Sequence, residues 1–324
     1  MGGKKEGQGP LGKQFDAVFE DTHLGEKTWE KAESAMQKQA FALALQKGKL
    51  EASDLDWLFA GDLLNQCIGS SFSLKNTGIP HLGLYGACST MAEGLLTASM
   101  AVGGGFINNA AVITSSHFAS SERQYRFPLG YGGQRTPTSQ WTVTGAGAAL
   151  VCASGTGPKI ESCTIGTVCD LGIKDANNMG AAMAPAARQT ILAHLRDFNA
   201  DPDDYNLIVT GDLGQLGSDL LRALLKEDGI ELKDKLIEIS KIWPGKKWAY
   251  IADISKLEIV STEVSSVLIQ LPVEIFNNGC ACMSKGITVA RNCECATFEI
   301  ADNIDEVQRQ DISKDMFEVA PEIH

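Results

Sequence analysis

One strand-and-corner pattern occurs twice in this chain. The first copy, residues 54–74, reads DLDWLFAGDLLNQCIGSSFSL, and the second, residues 204–229, reads DYNLIVTGDLGQLGSDLLRALLKEDG. Each copy runs from an acidic residue through an apolar strand to a Gly-Asp-Leu corner, and a helix-like segment precedes both. The corner aspartates, Asp62 and Asp212, are 150 residues apart. Because a duplicated strand-helix unit must bury its apolar face, the pattern predicts an α/β chain built from two similar halves.

Strand and helix patterns alternate along the rest of the chain. Apolar side chains recur at helical spacing over residues 28–50 and stop at Gly48, which predicts a helix. HLGLYGA (81–87) predicts a strand before a helix from Ser89, and NNAAVITSSHFAS (108–120) predicts a buried strand with a polar end. A long loop of Gly, Pro, Thr and Arg follows and ends in another strand. The alternation indicates a parallel sheet covered on both faces, and residues 1–14 have the composition of a flexible polar lead.

The net charge of −12 narrows the classes of function. Nucleic-acid binding needs a basic face that neutralises phosphates, so no nucleic-acid partner is predicted. The same charge disfavours unaided attachment to an anionic membrane surface, and no apolar run is long enough to span a bilayer. With 324 residues, 44% of them apolar, the chain is large enough for two domains, which we place at 1–165 and 166–324.

The nine cysteines predict reduced thiols and no metal site. Their number is odd, and the polar start MGGKKEGQGPLGK lacks the apolar core of a secretion signal, so we expect a cytosolic protein. Cys280 and Cys282, like Cys293 and Cys295, are separated by a single residue, whereas zinc sites use wider spacings. Neither a metal nor a cofactor is predicted.

Cys88 lies in the corner GACST (86–90), between a predicted strand and the small-residue helix that follows. The partial positive charge at a helix N-terminus stabilises a thiolate, which is the nucleophilic form of cysteine. Three interpretations stay open. Cys88 is an acyl-transfer nucleophile, a residue that lines a binding pocket, or small-residue packing at a helix start.

Several motifs follow one another in an order typical of one family. They are GPLG (9–12), AGDLLNQ (60–66), GACST (86–90), TSSHFASSERQYRFPLGYGGQ (114–134), TVTGAG (142–147), DLGIKDANNMGAAMAPAA (170–187) and TGDLGQLGS (210–218). Over residues 9–229 they resemble the stage V sporulation protein AD family of spore-forming bacteria, which is similar to thiolases. The resemblance implies a thiolase-like α/β fold with αβαβα layers, built from two duplicated halves.

The resemblance also implies a function. It implies binding of dipicolinic acid, or of its calcium chelate, in the cavity where thiolases hold an acyl substrate, and support for uptake of this compound into the developing spore. The implied partners are other membrane proteins of the sporulation complex and a second copy of the chain, as a homodimer. The implied location is the cytoplasm or forespore, with peripheral attachment to the spore inner membrane.

The chain departs from the family pattern after about residue 230, so the C-terminal half is expected to be atypical. NNGCACMSKG (277–286) resembles one later family segment, and two others have no counterpart. Between His194 and the terminal His324 there is no histidine to serve as a general base. This favours a binding protein over an enzyme. The alternatives are a thiolase or ketoacyl-synthase type acyltransferase that uses Cys88, and a scaffold-only homologue that has lost the ligand site.

The candidate ligand contacts follow two predicted strands. Asp62, next to Asn65, is either a polar group of the cavity or a helix cap, and capping is the expectation for Asp212. At the other strand end, His117 precedes Arg123, and guanidinium groups bind carboxylates in a bidentate way. The alternative for that segment, which also holds Glu122 and Arg126, is to brace a dimer interface. The predicted ligand set is therefore Asp62, Asn65, Cys88, His117 and Arg123.

Overall fold

Two β-sheets organise the chain in a computed structural model. It describes residues 1–9, 12–122, 125, 138, 142–155, 157–175, 177–205, 207–211, 213–232, 236–238 and 267–269. In chain order the elements are β1 Gly2–Gly3, α1 Lys4–Gly7, β2 Val18–Phe19, α2 Trp29–Gly48, β3 Trp57–Gly61, α3 Ile68–Leu74, β4 His81–Leu84, α4 Thr90–Gly103, β5 Asn109–Ser116, β6 Gly145–Cys152, α5 Met179–Asp197, β7 Leu207–Thr210, α6 Gly214–Glu227, β8 Leu236–Glu238 and β9 Val267–Ile269. The mixed α/β class predicted from the sequence is confirmed.

The first sheet has six strands in the order β2-β1-β6-β5-β3-β4. β3 is parallel to both β4 and β5, with Gly61 opposite Leu84 and Thr114. β6 is antiparallel to β5 and to β1. The prediction of a parallel sheet therefore holds for β3, β4 and β5 and is wrong for β6, because the chain leaves β5 and returns beside it in the opposite direction. The carboxyl ends of β3, β4 and β5 still meet at one edge.

Helices α2 and α4 cover opposite faces of this sheet. Side chains alternate along each strand. Leu58 of β3 packs in one cluster with Phe41 of α2, and Phe59 packs in another with Leu95 and Ala98 of α4. Both faces of the central strands are therefore buried, as their nearly continuous apolar sequences predict.

The flexible lead predicted for residues 1–14 is wrong for most of that segment. Gly2–Gly3 form β1, which lies between β2 and β6. Glu6 is buried, and its Oε1 accepts a hydrogen bond of 3.0 Å from the Thr144 N–H. The glycines are needed for packing, since a Cβ at Gly2 would lie 2.7 Å from the Phe15 ring. Amino-acid composition alone therefore does not predict strand β1 or the burial of Glu6.

The internal repeat is visible in the structure residue by residue. Both long helices begin at a side-chain cap, both are followed within two residues by a left-handed residue, and both lead through a 3-10 turn with a capping box into the next strand. The equivalent positions, each 150 residues apart, are Thr28 and Asn178, Lys49 and Asn199, Glu51 and Asp201, and Asp54 and Asp204. The boundary proposed between domains at residues 165 and 166 stays a prediction.

The second copy forms a smaller sheet, with the parallel strand order β8-β7-β9. Its core joins Met183 and Ile191 of α5 to Leu221 and Leu225 of α6. Asp212 and most of the chain after residue 232, including all four closely spaced cysteines, lie outside the described residues.

We predict that Gly61→Ala destabilises the first sheet. A Cβ there would lie 2.2 Å from the Leu84 carbonyl oxygen and 2.4 Å from Thr90 Cγ2, and the backbone oxygen cannot move without distorting β4. Denaturant unfolding should show a loss of about 1–3 kcal/mol.

Gly103→Ala is the matched control, because nothing lies within 4 Å of its Cβ position. It should change stability by less than about 1 kcal/mol, with a gain expected from helix propensity. Equal effects of the two substitutions would contradict the close approach at Gly61.

Candidate functional site

Three corners meet at the carboxyl edge of the first sheet. They follow β3, β4 and β5, which run in the same direction. Leu63 from the first corner, and Tyr85 and Ala87 from the second, pack against Tyr125, which follows β5. The sequence-predicted residues Asp62, Asn65 and Cys88 therefore lie in segments that converge on one aromatic ring. In open α/β sheets this edge is where ligands bind.

Asp62 is 1% exposed and fastens the first corner to α3. Its Oδ1 accepts from the Leu64 N–H at 2.8 Å, and its Oδ2 accepts from the Ser70 N–H at 2.7 Å and the Ser70 hydroxyl at 2.6 Å. Burial raises the pKa of Asp62, and these three donors oppose the shift. All three donors are local, as in the capping interpretation, and whether Asp62 also contacts a ligand stays a prediction.

Asn65 is exposed, and its backbone is held by the segment after β5. The Asn65 N–H donates to Glu122 Oε1 at 2.9 Å, and the Glu122 N–H donates to the Leu63 carbonyl at 2.9 Å. The next two residues, Gln66 and Cys67, have positive φ angles of 59° and 53°. Non-glycine residues rarely adopt this conformation, and the surrounding contacts must hold it.

Cys67 is a buried thiol that sequence inspection missed. Its S–H donates to the Leu84 carbonyl at 3.1 Å, which ties the first corner to the end of β4. Burial raises the pKa of Cys67 to about 11, with smaller contributions from the Asp62 and Glu93 carboxylates. Cys67 is therefore a protonated structural group at neutral pH.

Cys88 is exposed and lies in the 3-10 turn Ala87–Ser89, directly before α4. Ala87 has a positive φ of 49°, and the Ser89 hydroxyl donates to the Gly86 carbonyl at 2.6 Å. The turn thus presents the thiol at the start of a largely buried helix. Exposure of the side chain does not match packing in a core, but whether it binds a ligand stays a prediction.

Glu93, in the first turn of α4, faces the same turn. A Cβ at Gly86 would lie 2.4 Å from its Oε2, so the carboxyl group lies against the Gly86 backbone. Burial raises the pKa of Glu93. Within the described part of the chain, Oε2 has no hydrogen-bond partner.

His117 is 2% exposed, and the chain engages both of its ring nitrogens. Nδ1 accepts from the Ala119 N–H at 3.1 Å, so Nε2 carries the proton and donates to the Thr22 carbonyl at 3.1 Å. Burial lowers the pKa of His117, which keeps the ring neutral. This ring braces the turn after β5. Arg123 and Arg126 lie outside the described residues.

A buried polar network lies beneath the corners, and sequence inspection missed it. Glu33 and Gln37 of α2 are both 0% exposed. Glu33 contacts the hydroxyls of Ser115 at 3.0 Å and Ser120 at 2.6 Å, and Gln37 Nε2 donates to Ser115 Oγ at 3.3 Å and Ser70 Oγ at 3.0 Å. The network therefore runs from Glu33 to Asp62 through two hydroxyls and one amide.

The internal repeat contained a signal for these residues. The positions equivalent to Glu33 and Gln37 in the second copy are Met183 and Ala187, which belong to its apolar core. Polar side chains at core-facing helical positions, where the matching helix is apolar, indicate a buried polar contact.

The described residues contain no group of three or more His, Cys, Asp or Glu side chains that could hold a metal ion. Among the helices in the described ranges, none is long and apolar enough to cross a membrane.

Two copies of one helix-strand unit, with polar corners at the carboxyl edge of the first sheet and a cysteine at the start of the next helix, define a mixed α/β protein with an internal repeat. The family profile described as Stage V sporulation protein AD (SpoVAD) matches residues 1–242. The Stage V sporulation protein AD of Bacillus subtilis (strain 168) is 46% identical over 233 residues, which are 72% of this chain and 69% of that protein. The chain belongs to the stage V sporulation protein AD family.

Solved structures that resemble this chain include that of a 3-oxoacyl-[acyl-carrier-protein] synthase III. That of Aquifex aeolicus VF5 is 17% identical with a TM-score of 0.47, over 71% of this chain and 73% of that one. An OleA structure from Xanthomonas campestris is 14% identical with a TM-score of 0.47, over 78% of this chain and 83% of that one. These similarities concern the fold and carry no argument about the site.

Glu33→Gln should change the pH dependence of stability. Burial raises the pKa of Glu33 to about 8, so the folded chain keeps a proton that the unfolded chain releases from about pH 4.5 upwards. The contribution of Glu33 to folding stability is therefore complete at low pH and falls as the pH rises to about 8. Glutamine keeps the neutral shape and has no such dependence. At pH 8 the variant should be more stable than wild type by an amount on the order of a few kcal/mol.

Urea unfolding at pH 5, 6.5, 8 and 9 measures this difference. Glu26→Gln, at an exposed position, is the control and should follow wild type. Parallel curves for wild type and Glu33→Gln would show that Glu33 is not a buried neutral acid.

Proposed function

We propose that this chain binds dipicolinic acid, free or as its calcium chelate, and supports its uptake into the developing spore. The sporulation role itself rests on family membership over residues 1–242. The observation that supports a ligand site in the first half is the convergence of three strand-end corners on Tyr125, with Asn65 and Cys88 exposed. The ligand identity comes from the family resemblance.

The proposed site suits a small dicarboxylate. Peptide dipoles at the start of α4 favour negative charge, and α4 is 14 residues long. The Asn65 side chain supplies amide donors at the neighbouring corner. The ligand must bind a chain with a net charge of −12, so local donors have to provide the attraction.

The proposed partners are other membrane proteins of the sporulation complex and a second copy of the chain. Peripheral attachment to the spore inner membrane would then depend on those proteins. The proposed location is the cytoplasm or forespore.

The second candidate function is acyl transfer by Cys88, which its exposure at the start of α4 favours. In that reaction the Cys88 thiolate attacks the carbonyl of an acyl thioester, a new thioester forms on Sγ, and the coenzyme thiol leaves. The step needs a base that removes the proton from Cys88. His117 is committed to the Thr22 and Ala119 backbone, so it is not in place for this role.

Isothermal titration calorimetry with dipicolinic acid tests the first proposal. Wild type should bind with measurable heat, and Asn65→Ala and Cys88→Ala should each weaken binding, by about tenfold for the loss of one hydrogen bond to a charged group. Both side chains are exposed, so the variants should keep the fold. Cys163→Ala, an exposed cysteine in another segment, is the control and should bind like wild type. No heat with wild type, or equal affinity in all variants, would overturn the proposed site.

Incubation with an acyl-coenzyme A separates the two candidate functions. If the chain only binds its ligand, intact-mass measurement should find no acyl adduct, and added dipicolinic acid should change nothing. A stoichiometric adduct that maps to Cys88 and is absent from Cys88→Ala would favour the acyltransferase.

A further inference from the structure

A buried hydrogen-bond network joins α2 to the segment after β5, and it has no role in the proposed function as stated so far. Glu33 is its centre. Its two carboxyl oxygens contact Ser115 Oγ at 3.0 Å and Ser120 Oγ at 2.6 Å. Ser115 belongs to β5, whereas Ser120 belongs to the turn that carries Glu122. Glu33 thus joins the sheet to the turn.

We propose that Glu33 is a positioning residue: its neutral, protonated carboxyl group latches the segment 117–122 onto α2 and thereby holds the corner 63–65 in shape. The effect on ligand binding rests on the proposed function, whereas the latch itself does not.

All of these hydrogen bonds can be kept when Glu33 carries a proton. Its Oε2–H then donates to Ser120 Oγ, and the Ser120 hydroxyl donates to the His117 carbonyl, which lies 3.3 Å away. On the other side, Ser115 Oγ accepts from Gln37 Nε2 at 3.3 Å and donates to Glu33 Oε1. No buried polar atom of these groups is left without a partner.

The ionised state of Glu33 is poorly supported. Within the described residues it would have two hydroxyl donors and no cation, and the charged groups that act on it are the Asp62 and Glu30 carboxylates, which both oppose a second negative charge. Asp62 has three donors, two of them backbone N–H groups. The charge of the network therefore lies on Asp62 and the proton on Glu33. His117 is also close to the turn and is kept neutral by burial.

The latch reaches the candidate site through Glu122. The turn begins at His117, whose carbonyl accepts from the Ser120 N–H at 3.1 Å and the Ser121 N–H at 2.9 Å. Two residues after Ser120, Glu122 exchanges hydrogen bonds with Leu63 and Asn65. Releasing Ser120 from α2 would therefore loosen the support of the corner that carries Asn65.

Deprotonation of Glu33 should open the latch, because a buried carboxylate without a cation is stabilised when it reaches water. The turn is the nearest route, since Phe118, Ala119 and Glu122 are partly exposed. We expect opening as the pH rises through about 8, where Glu33 titrates.

Hydrogen exchange of the full chain, measured by NMR and corrected for intrinsic rates, tests the latch without any ligand. Protection of the Ser120, Ser121, Glu122 and Asn65 amides should fall by about tenfold or more between pH 7 and pH 9.5 in wild type. In Glu33→Gln it should stay constant, because the carboxamide keeps the neutral shape. Ser120→Ala should show low protection at every pH, and Glu26→Gln should follow wild type. Constant protection in wild type, or the same pH dependence in Glu33→Gln, would overturn the latch.

Dipicolinic acid titrations at pH 7 and pH 9 are a separate measurement. If the latch supports the site, wild type should lose affinity at the higher pH and Glu33→Gln should not. If wild type binds no dipicolinic acid at either pH, the proposed function fails while the exchange result still decides the latch. Affinity that falls equally in both proteins would show that the latch does not reach the ligand site.

Discussion

The buried charge of Asp62 is the constraint around which the first half is arranged. A carboxylate at 1% exposure is stable only when donors surround it, and its three donors come from the corner after β3 and the first turn of α3. Ser70, which supplies two of them, also accepts from Gln37 on α2. The position of α3 therefore depends on a charge at the end of β3, and the packing of α2 depends on both. A neutral Glu33 is what allows a second carboxyl group to lie in the same interior.

Comparison of the two helix-strand copies shows which features belong to the fold and which belong to this network. Caps, left-handed residues, 3-10 turns and strands recur at one spacing, so they belong to the unit itself. The core-facing positions of the long helix differ, with Glu33 and Gln37 in one copy and Met183 and Ala187 in the other. Since the other copy builds the same helix-strand unit with apolar side chains at these positions, the unit as such does not require polar ones. Their retention in the half that carries the three convergent corners points to a role at that edge.

Local sequence pattern was sufficient to predict the long helices and the central strands, but not the partners of those strands. The helix predicted over 28–50 forms as Trp29–Gly48, and the strand in 108–120 forms as Asn109–Ser116, because apolar spacing and stop residues determine both. The direction of β6, the pairing of Gly2–Gly3 inside the sheet and the protonated Cys67 depend on contacts distant in sequence, which periodicity does not encode. The candidate residues fall at the expected strand ends, whereas the hydrogen bonds that engage Asp62 and His117 appear only in three dimensions.

The proton on Glu33 also has an electrostatic consequence for an anion site. A neutral Glu33 leaves Asp62 as the charged member of the network. Loss of the proton from Glu33 would place a second negative charge beneath the corner that is proposed to bind a dicarboxylate. Repulsion between buried charges is screened little by salt, because ions do not enter the interior. Opening of the turn, in contrast, would hydrate the carboxylate and expose it to screening. With the turn open, affinity falls because the corner that carries Asn65 loosens, and added salt does not restore it. Faster exchange of the Ser120 amide together with the loss of affinity therefore indicates an open latch, and a loss without faster exchange indicates a closed one with an ionised Glu33.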